Sequence, residues 1–446
     1  MDVVIIFLIV TFLFLLSGFP VAFILSGISL FFGFIGILFG FFDYSYLMAF
    51  PARLFGVMGN QNLLAVPLFI FMGLILEKTK IAESLIQDMN ILFNNSNSGL
   101  AISVVVVGAL MAASTGIVGA SVVTLGLLTY PVLTKNGYSP SVASGTICAS
   151  GTLGQIIPPS LVLILLADVL SSSYQQAQLN MGIFNPESIT IADLFVGAIL
   201  PGLMLPVFYI IYLRSLKIKT VSEELSNKKS NILSVIYPLS LMFIVLGSII
   251  FGIATPSEAA GIGALGAIIL AYSKNNLSKL ILDKCVFESI KLTSMVFMIL
   301  IGAILFSLVF RGLEGEEFIH KFLVEMPDNK FMTLFIVLLI MFFLGFILDF
   351  IEITFIVIPL IGPALFTLGF DPLWIGILIA LVLQTSFITP PFGFSLFYLR
   401  GVLPRNVKTT EIYKGIIPFL LIQIFLVIVV FIFPGLATAL PEILLK

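Results

Sequence analysis

Long apolar segments alternate with short polar ones along almost the whole chain. A helix needs about 17 to 25 apolar residues to cross a bilayer, and eight uninterrupted segments meet or approach that length. In the first half of the chain they are 1–19, 20–41, 62–77 and 192–215. In the second half they are 232–251, 255–272, 293–311 and 411–437. This pattern predicts an all-α polytopic membrane protein.

One longer apolar segment in each half does not fit a single span. Segment 98–134 has 37 residues and is interrupted by AASTGIVGAS. As one helix it would measure about 55 Å, which is too long for one span and too short for two. We therefore predict a re-entrant hairpin with its tip at 114–121. Segment 331–366 is its counterpart, with a predicted tip at 346–353.

The remaining two segments, 141–170 and 373–402, each contain a pair of consecutive prolines. Proline lacks a backbone donor and restricts the residue before it, so the helix must break there. We predict breaks at 151–159 and 385–391. Inside a bilayer such a break is tolerated only where it faces protein or a water-filled cavity. Paired breaks in two halves are typical of the binding site of a secondary transporter.

Moving along the chain by one constant number of residues leads from a position in the first half to its counterpart in the second half. We call this shift the repeat offset. It places Pro131 on Pro363, Gly137 on Gly369, Tyr138 on Phe370, Pro140 on Pro372, and Pro158-Pro159 on Pro390-Pro391. Only 22 of the 446 residues are proline, so these coincidences indicate an internal duplication. We predict a first repeat (1–215), a cytoplasmic linker (216–231) and a second repeat (232–446). The scaffold spans lie within 1–77 and 232–311.

The distribution of basic residues predicts how the chain is oriented. If the first hairpin opens to the cytoplasm, 16 of the 21 Lys and Arg residues lie on the inner side. They are Lys78, Lys80, Lys135, Arg214, Lys217, Lys219, Lys228, Lys229, Lys274, Lys279, Lys284, Lys291, Arg400, Arg405, Lys408 and Lys414. An excess of basic residues on the cytoplasmic side is the rule for membrane proteins. About ten spans and two hairpins then give an inverted repeat with both termini outside.

Composition supports the membrane assignment and excludes other classes of protein. Hydrophobic residues make up 60% of the chain, charged residues 10%, and the mean hydropathy is +1.21. A soluble domain could not carry this composition on its surface. With a net charge of -2 there is no basic face for nucleic acid. The lipid bilayer is the partner that composition alone predicts.

The predicted geometry brings each hairpin tip to the break of a neighbouring span near the middle of the membrane. Hydroxyls, carboxylates and free carbonyls are hard ligands suited to an alkali cation, while helix N-termini suit an anion. The cation candidates are Ser114, Thr115, Gly116, Ser121, Ser150, Gly151, Thr152, Asp349, Glu352, Thr385, Ser386 and Thr389. The substrate candidates are Gly154, Pro158, Ser160, Gln384 and Gly393. The set suits Na+ together with a carboxylate.

Simpler interpretations exist for several of these residues. The proline pairs could only kink packed helices, although their duplication favours a shared site. A single Ser or Thr in a membrane often only joins two helices. Asp349 and Glu352 differ, because an acid inside the membrane is costly and usually functional. We therefore expect a site or coupling role for at least one of these two acids.

Several motifs are similar to those of one transporter family. The stretches GASVVTLGLL, NGYSPSVASGTICASGTLGQIIPPS, GIATPSEAAGIGALGA and LGFDPLWIGILIALVLQTSFITPPFGFSLFYLRGV resemble the large, DctM-like membrane subunit of tripartite ATP-independent periplasmic (TRAP) transporters. The resemblance implies an elevator-type, ion-transporter-like fold in the bacterial inner membrane. It also implies Na+-driven import of an organic anion, with a DctQ-like four-span subunit and a DctP-like periplasmic binding protein.

The same resemblance extends to the ion sites and to a branch of the family. It implies Na+ sites where 114–121 meets 151–159 and where 349–354 meets 385–391. The motif LDFIEI resembles the corresponding motif in the branch of the family labelled for mannitol, chloroaromatic compounds and 2-oxo acids. Many members carry Asp-Pro at the second tip, where this chain has Asp349-Phe350.

Together these observations predict the large permease subunit of a Na+-coupled, binding-protein-dependent importer of an organic anion such as a 2-oxo acid. The alternative is a self-sufficient Na+/carboxylate symporter without a binding protein, and a passive channel is a further alternative. A membrane enzyme is disfavoured because the chain has no HExxH motif and a single histidine, outside the predicted core. The motifs do not specify the substrate, since selection in such systems resides largely in the binding protein.

Overall fold

The computed structural model describes residues 2–445 with several gaps. The gaps are residues 80, 82–83, 86–87, 90, 92–97, 116–117, 219–231 and 325–328, together with the side chains of 112–115, 232, 234 and 323–324. Most of the predicted linker 216–231 therefore lies outside the described residues. Every regular element in the described part of the chain is helical.

The described residues of the first half include ten α-helices. They are α1 (Asp2–Leu15), α2 (Val21–Phe39), α3 (Ser45–Met48), α4 (Phe50–Met58), α5 (Ala65–Lys78), α6 (Gly99–Thr115), α7 (Val118–Lys135), α8 (Pro140–Gly151), α9 (Leu161–Asn180) and α10 (Ile191–Ser215). Helices α6 and α7 occupy the predicted first hairpin. Helices α8 and α9 occupy the predicted first broken span.

The labelled helices of the second half follow a similar order. They are α11 (Ile232–Ile250), α12 (Pro256–Ser273), α13 (Lys279–Gly312), α14 (Gly315–Val324), α15 (Lys330–Leu344), α16 (Phe350–Thr367), α17 (Pro372–Ile388), α18 (Phe394–Val402), α19 (Thr409–Ile432) and α20 (Gly435–Leu444). Helices α15 and α16 occupy the predicted second hairpin, and α17 and α18 the second broken span.

The helices are those of a multi-pass membrane protein. Seven of those described, counting α5 with the 3-10 turn before it, have at least 18 residues and are apolar enough to cross a bilayer. Large apolar side chains point outward from these and neighbouring helices: Leu38 is 82% exposed and Phe243 is 70% exposed. Water would disfavour a surface of this kind, whereas lipid tails accept it.

Helix α13 is longer than the span predicted for it. The predicted span 293–311 is the C-terminal part of a single helix of 34 residues, which measures about 51 Å. The hydrocarbon core of a bilayer is only about 30 Å thick. The first turns of α13 carry Lys279, Asp283 and Lys284, so this end of the helix is suited to water and lipid headgroups.

The helices pack into two groups. The first group contains α1, α2, α5, α11, α12 and α13, in which α5 packs on α12 and α13, and α2 packs on α13. The second group contains both hairpins, both broken helices, α10, α19 and α20. The groups meet where α5 packs on α6 and α9, and where α13 packs on α16. The hairpins and breaks are therefore gathered in one group that faces the other.

Within the second group, helices from the two halves interlock. Helix α8 packs on α19, α9 packs on α16, and α17 packs on α10. The backbones of α8 and α19 touch at two glycines. A Cβ atom on Gly145 would lie 2.0 Å from the Gly415 carbonyl oxygen, and one on Gly415 would lie 1.8 Å from the Ser141 carbonyl oxygen. Only glycine permits this approach.

The contact predicts a large effect of a small substitution. We expect Gly415→Ala to force α8 and α19 apart, because the new methyl group would overlap a backbone oxygen that cannot rotate away. Overpacking of this kind costs about 1–3 kcal/mol, so the thermal unfolding temperature of the purified protein should fall. Gly401→Ala is the control, since a Cβ atom on Gly401 meets nothing within 4 Å. Equal melting temperatures for the two variants would contradict the prediction.

Candidate functional site

The first broken helix has a defined irregular segment at its centre. Helix α8 ends at Gly151, a short 3-10 turn follows at Leu153–Gln155, and α9 begins at Leu161. The Ser160 hydroxyl donates to the Gly154 carbonyl oxygen at 2.8 Å and is 3.3 Å from the Gln155 carbonyl oxygen. The hydroxyl thus partly replaces the helical bonds that these carbonyls lose at the break.

The second broken helix uses the same device with a different residue. Helix α17 ends at Ile388 and α18 begins at Phe394. The Ser395 hydroxyl donates to the Phe387 carbonyl oxygen at 2.8 Å. The sequence analysis did not single out Ser395, because the repeat offset pairs Ser160 with Phe392. A search for a hydroxyl anywhere in the first turn after the break would have found it.

The second break lies later in the chain than predicted. The prediction placed it at 385–391, but α17 remains helical to Ile388, so Thr385 and Ser386 belong to its last turn. The repeat offset supplies the physical reason. Gly151 and Gly154, which weaken the helix in the first copy, correspond to Leu383 and Ser386. Without glycines, the second helix continues until the prolines end it. Both Pro158-Pro159 and Pro390-Pro391 are cis peptides.

The first hairpin packs directly on the first break. Helix α6 contacts the 3-10 turn, and a Cβ atom on Gly151 would lie 2.4 Å from a methyl carbon of Val122 in α7. Ser121 is buried in α7. Gly116 lies outside the described residues, as do the side chains of Ser114 and Thr115, so their predicted roles as ion ligands stay predictions.

The second hairpin meets the second broken helix at its turn. A Cβ atom on Gly345 would lie 2.2 Å from the Ser386 hydroxyl oxygen. The turn leads to Asp349, whose Oδ1 accepts from the Phe350 backbone N–H at 2.8 Å. The Glu352 Oε2 accepts from the Asp349 backbone N–H at 2.9 Å. The two acids therefore form a capping box at the start of α16. The sequence analysis expected a site or coupling role for at least one of them and did not foresee this structural role.

Five predicted ligand hydroxyls share one hydrogen-bonding pattern, in which each hydroxyl donates a hydrogen bond to a backbone carbonyl one turn back. The pairs are Ser150 with Thr146 (2.6 Å), Thr152 with Ala149 (3.0 Å), Thr385 with Leu381 (2.7 Å), Ser386 with Leu383 (2.7 Å) and Thr389 with Thr385 (2.7 Å). A hydroxyl that donates a hydrogen bond still has two lone pairs on its oxygen. These oxygens can therefore accept a further hydrogen bond or bind a cation.

Three buried polar side chains near the breaks lack partners among the described residues. They are Gln384, at both amide atoms, Thr354, at its hydroxyl, and Gln155, at Oε1. Gln384 and Thr354 are 0% exposed and Gln155 is 1% exposed. An unpaired buried polar group costs about 1–3 kcal/mol. These atoms are available to a ligand or an ion, although unpaired buried hydroxyls also occur elsewhere, as at Ser29 in α2 and Ser289 in α13.

A cavity lies between the two helix groups, next to both hairpins and both breaks. The empty space between its walls is ≈ 590 Å³ when the part open to solvent is counted. Its walls are Ile70, Val118, Gly119, Gln155, Leu161, Val162, Leu292, Met295, Val296, Asp349, Phe350, Ile351, Phe387 and Tyr398. We call it the central cavity.

The repeat offset relates three pairs of wall residues in the central cavity. They are Val118 with Phe350, Gly119 with Ile351, and Gln155 with Phe387. Both hairpins, the first break and the last turn of α17 therefore contribute equivalent positions to one cavity. This agreement makes the central cavity the candidate substrate site.

None of the five predicted substrate residues is a wall residue of the central cavity. Gly154 and Ser160 each precede a wall residue, Gln155 and Leu161. Tyr398 is a wall residue that the sequence analysis missed. Its ring packs on the first hairpin, since a Cβ atom on Gly119 would lie 3.0 Å from the Tyr398 Cζ. Only the packing of α18 against α7 brings Tyr398 to the cavity.

The central cavity extends toward the predicted cytoplasmic side. An adjoining cleft shares Ile70 and Leu292 with it and is also lined by Glu77, Lys78 and Glu288. Lys78 Nζ lies 3.2 Å from Glu288 Oε2. On the opposite side a separate pocket is lined by residues that include Asn60 and Asp168, and the Asn60 Nδ2 donates to Asp168 Oδ1 at 2.7 Å. This hydrogen bond joins the two helix groups on the predicted outer side.

A membrane cavity between two interrupted helices and two hairpins defines a transporter rather than an enzyme. The family model for the tripartite ATP-independent periplasmic transporter, DctM component, matches residues 8–436. The chain therefore belongs to this family of large TRAP permease subunits, as the sequence motifs predicted.

Curated relatives agree with this assignment. The C4-dicarboxylate TRAP transporter large permease protein DctM of Pseudomonas aeruginosa is 29% identical over 398 residues, covering 87% of this chain and 88% of the relative. The sialic acid TRAP transporter large permease protein SiaM of Vibrio cholerae is 25% identical over 408 residues, covering 88% and 89%.

Two solved structures share the fold. The crystal structure of the Alcanivorax borkumensis YdaH transporter matches with a TM-score of 0.67 at 14% identity, covering 89% of this chain and 90% of that one. MtrF of Neisseria gonorrhoeae matches with a TM-score of 0.57, also at 14% identity, covering 86% and 83%. At this identity the likeness concerns the fold alone.

The bond from Ser395 to the second break can be tested directly. Ser395→Ala would leave the buried Phe387 carbonyl oxygen without its donor, which costs about 1–3 kcal/mol. We expect faster amide hydrogen exchange across residues 387–397 and a lower melting temperature. Ser172→Ala is the control, because Ser172 is exposed and bonds only within its own helix, to the Asp168 carbonyl oxygen. Unchanged exchange at the break in Ser395→Ala would refute the proposed role.

Proposed function

We propose that this chain is the transport-catalysing subunit of a Na+-coupled importer of an organic anion, such as a 2-oxo acid. A DctQ-like four-span subunit and a DctP-like periplasmic binding protein are its proposed partners, in keeping with the tripartite family. The observation that carries the proposal is the convergence of two hairpins and two hydroxyl-rich breaks on the central cavity.

Two regions have the oxygen ligands that a Na+ ion prefers. At the first break, the hydroxyls of Ser150 and Thr152 donate hydrogen bonds to backbone carbonyls of α8, so their lone pairs are left for a cation. At the second, Thr385 and Ser386 do the same, and the neighbouring Gln384 has an unpaired amide oxygen. Hard oxygen donors of this kind suit an alkali cation rather than a transition metal.

The charge of the cavity wall also favours a coupling cation. Asp349 lines the central cavity, and none of the described wall residues is Lys, Arg or His. A substrate carboxylate about 5 Å from Asp349 would be repelled by about 3 kcal/mol at an effective dielectric of about 20. A Na+ ion bound beside Asp349 offsets this charge and removes the repulsion. Substrate and ion would then bind together, which is the requirement for symport.

The two helix groups support an elevator mechanism. In this proposal the group that contains the hairpins and breaks moves across the membrane against the group formed by α1, α2, α5 and α11–α13. The central cavity lies at the boundary and extends toward the predicted cytoplasmic side. The Asn60–Asp168 hydrogen bond lies at the predicted outer end of the same boundary.

Reconstitution tests the proposed function. Uptake into liposomes should require an inward Na+ gradient, the small subunit and the substrate-loaded binding protein together, because the binding protein delivers the anion and the gradient supplies the energy. Replacing the Na+ gradient by a K+ gradient should abolish uptake. Gradient-driven uptake by this chain alone would instead identify a self-sufficient symporter.

A substitution at Asp349 tests the Na+ site. Asp349→Asn keeps a side chain that can cap α16 but removes the charge, so we expect at least about a tenfold loss of apparent Na+ affinity, equivalent to about 1.4 kcal/mol. The measurement is the Na+ concentration that gives half-maximal uptake. Glu317→Gln is the matched control, since Glu317 pairs with Lys321 in α14, away from the cavity. An unchanged Na+ dependence in Asp349→Asn would exclude the residue from the site.

A further inference from the structure

A polar contact crosses the boundary between the two helix groups at its predicted outer end. The Asn60 Nδ2 donates to Asp168 Oδ1 at 2.7 Å. Asn60 precedes the 3-10 turn that leads into α5 of the first group, and Asp168 lies in α9 of the second group. We propose that this hydrogen bond is a latch, which holds the second group in the position described here and must open before that group moves. The inference rests on the proposed function, because it assigns two positioning residues to the proposed elevator movement.

The Asn60 side chain is held in the orientation that this bond requires. Its Oδ1 accepts from the Asn62 backbone N–H at 3.0 Å and caps the 3-10 turn. Because the amide oxygen is engaged there, the two N–H donors of the amide are directed away from the turn, and one of them reaches Asp168. The first group therefore positions the donor through its own backbone.

The surfaces beside the latch are apolar. Leu300, Ala303 and Ile304 of α13 face Phe355 and Pro359 of α16 across the pocket that the latch residues line, which we call the outer pocket. Apolar contact has no preferred direction, so surfaces of this kind can pack at more than one relative position. A hydrogen bond needs its donor and acceptor within about 3.2 Å and well aligned. The latch therefore favours one of these positions over the others.

The outer pocket also allows the latch to open. Its empty space is ≈ 870 Å³ when the part open to solvent is counted, and Arg53 lines it together with Asn60 and Asp168. A carboxylate that lost its partner inside lipid would be costly to keep charged. Here water from the pocket can replace the Asn60 amide, and the positive charge of Arg53 stabilises the released carboxylate. Opening therefore leaves Asp168 hydrated.

Exchange of the two latch side chains tests the proposal. Asn60→Asp keeps a side chain that caps the 3-10 turn but places two carboxylates together, and Asn60→Leu removes the donor at nearly the same volume. Either variant should raise the ratio of displaced to undisplaced second group by at least about tenfold, because a hydrogen bond to a charged group is lost. The double variant Asn60→Asp/Asp168→Asn returns one amide and one carboxylate to the contact. It should restore the original ratio.

The measurement is the distance between two spin labels on the full-length chain in lipid nanodiscs. The labels are attached at Met58→Cys in α4, which packs on α13, and at Leu179→Cys in α9. Met58 is 73% exposed and Leu179 is 49% exposed, whereas the native cysteines are buried and so are protected from the label. Asn62→Asp is the matched control, since it adds the same charge to the same turn at an exposed position. The control should leave the distance distribution unchanged.

The possible results separate the latch from the proposed function. Distances in both Asn60 variants that match those of the unmodified chain would overturn the latch. A shift that the double variant does not reverse, or one that Asn62→Asp reproduces, would overturn it as well. None of these results would affect the proposed function if uptake by the assembled system still required a Na+ gradient. A shift that the double variant reverses, together with uptake that is independent of Na+, would support the latch and contradict Na+ coupling.

Discussion

The structure depends on one constraint: backbone groups released from a helix inside the membrane must find partners. The residues between Gly151 and Leu161, and those between Ile388 and Phe394, are not part of any α-helix. Lipid offers these groups no hydrogen bonds, so the protein supplies hydroxyls from Ser160 and Ser395 and packs a hairpin against each broken helix. The hairpins, the breaks and the central cavity follow from this requirement.

Much of the architecture could be predicted from the sequence because its signals are local. Apolar segment length indicated the helices, tandem prolines indicated both interruptions, and the repeat offset indicated that the interruptions belong together. The inverted orientation of the repeats and the number of crossings remain predictions. The structure itself shows the helix bounds and the two breaks.

The site was harder to predict because it depends on packing between distant segments. Tyr398 and the wall residues of α13 reach the cavity only through contacts that no local pattern encodes. The second break was placed too early: Leu383 and Ser386 stand where the first copy has glycines, so α17 continues to Ile388. Asp349 and Glu352 were read as site acids, and the capping box gives them a structural role as well.

The crosswise packing of the two halves has a consequence for how such a chain can be assembled. Each interrupted helix rests on elements of the other repeat, with α8 against α19 and α17 against α10. Each half therefore buries its broken helix against the other half. At the contact of Gly145 with Gly415 the two backbones are too close for any larger residue. If the two halves arose by the predicted duplication, a single copy would have needed a second copy of itself to cover these surfaces.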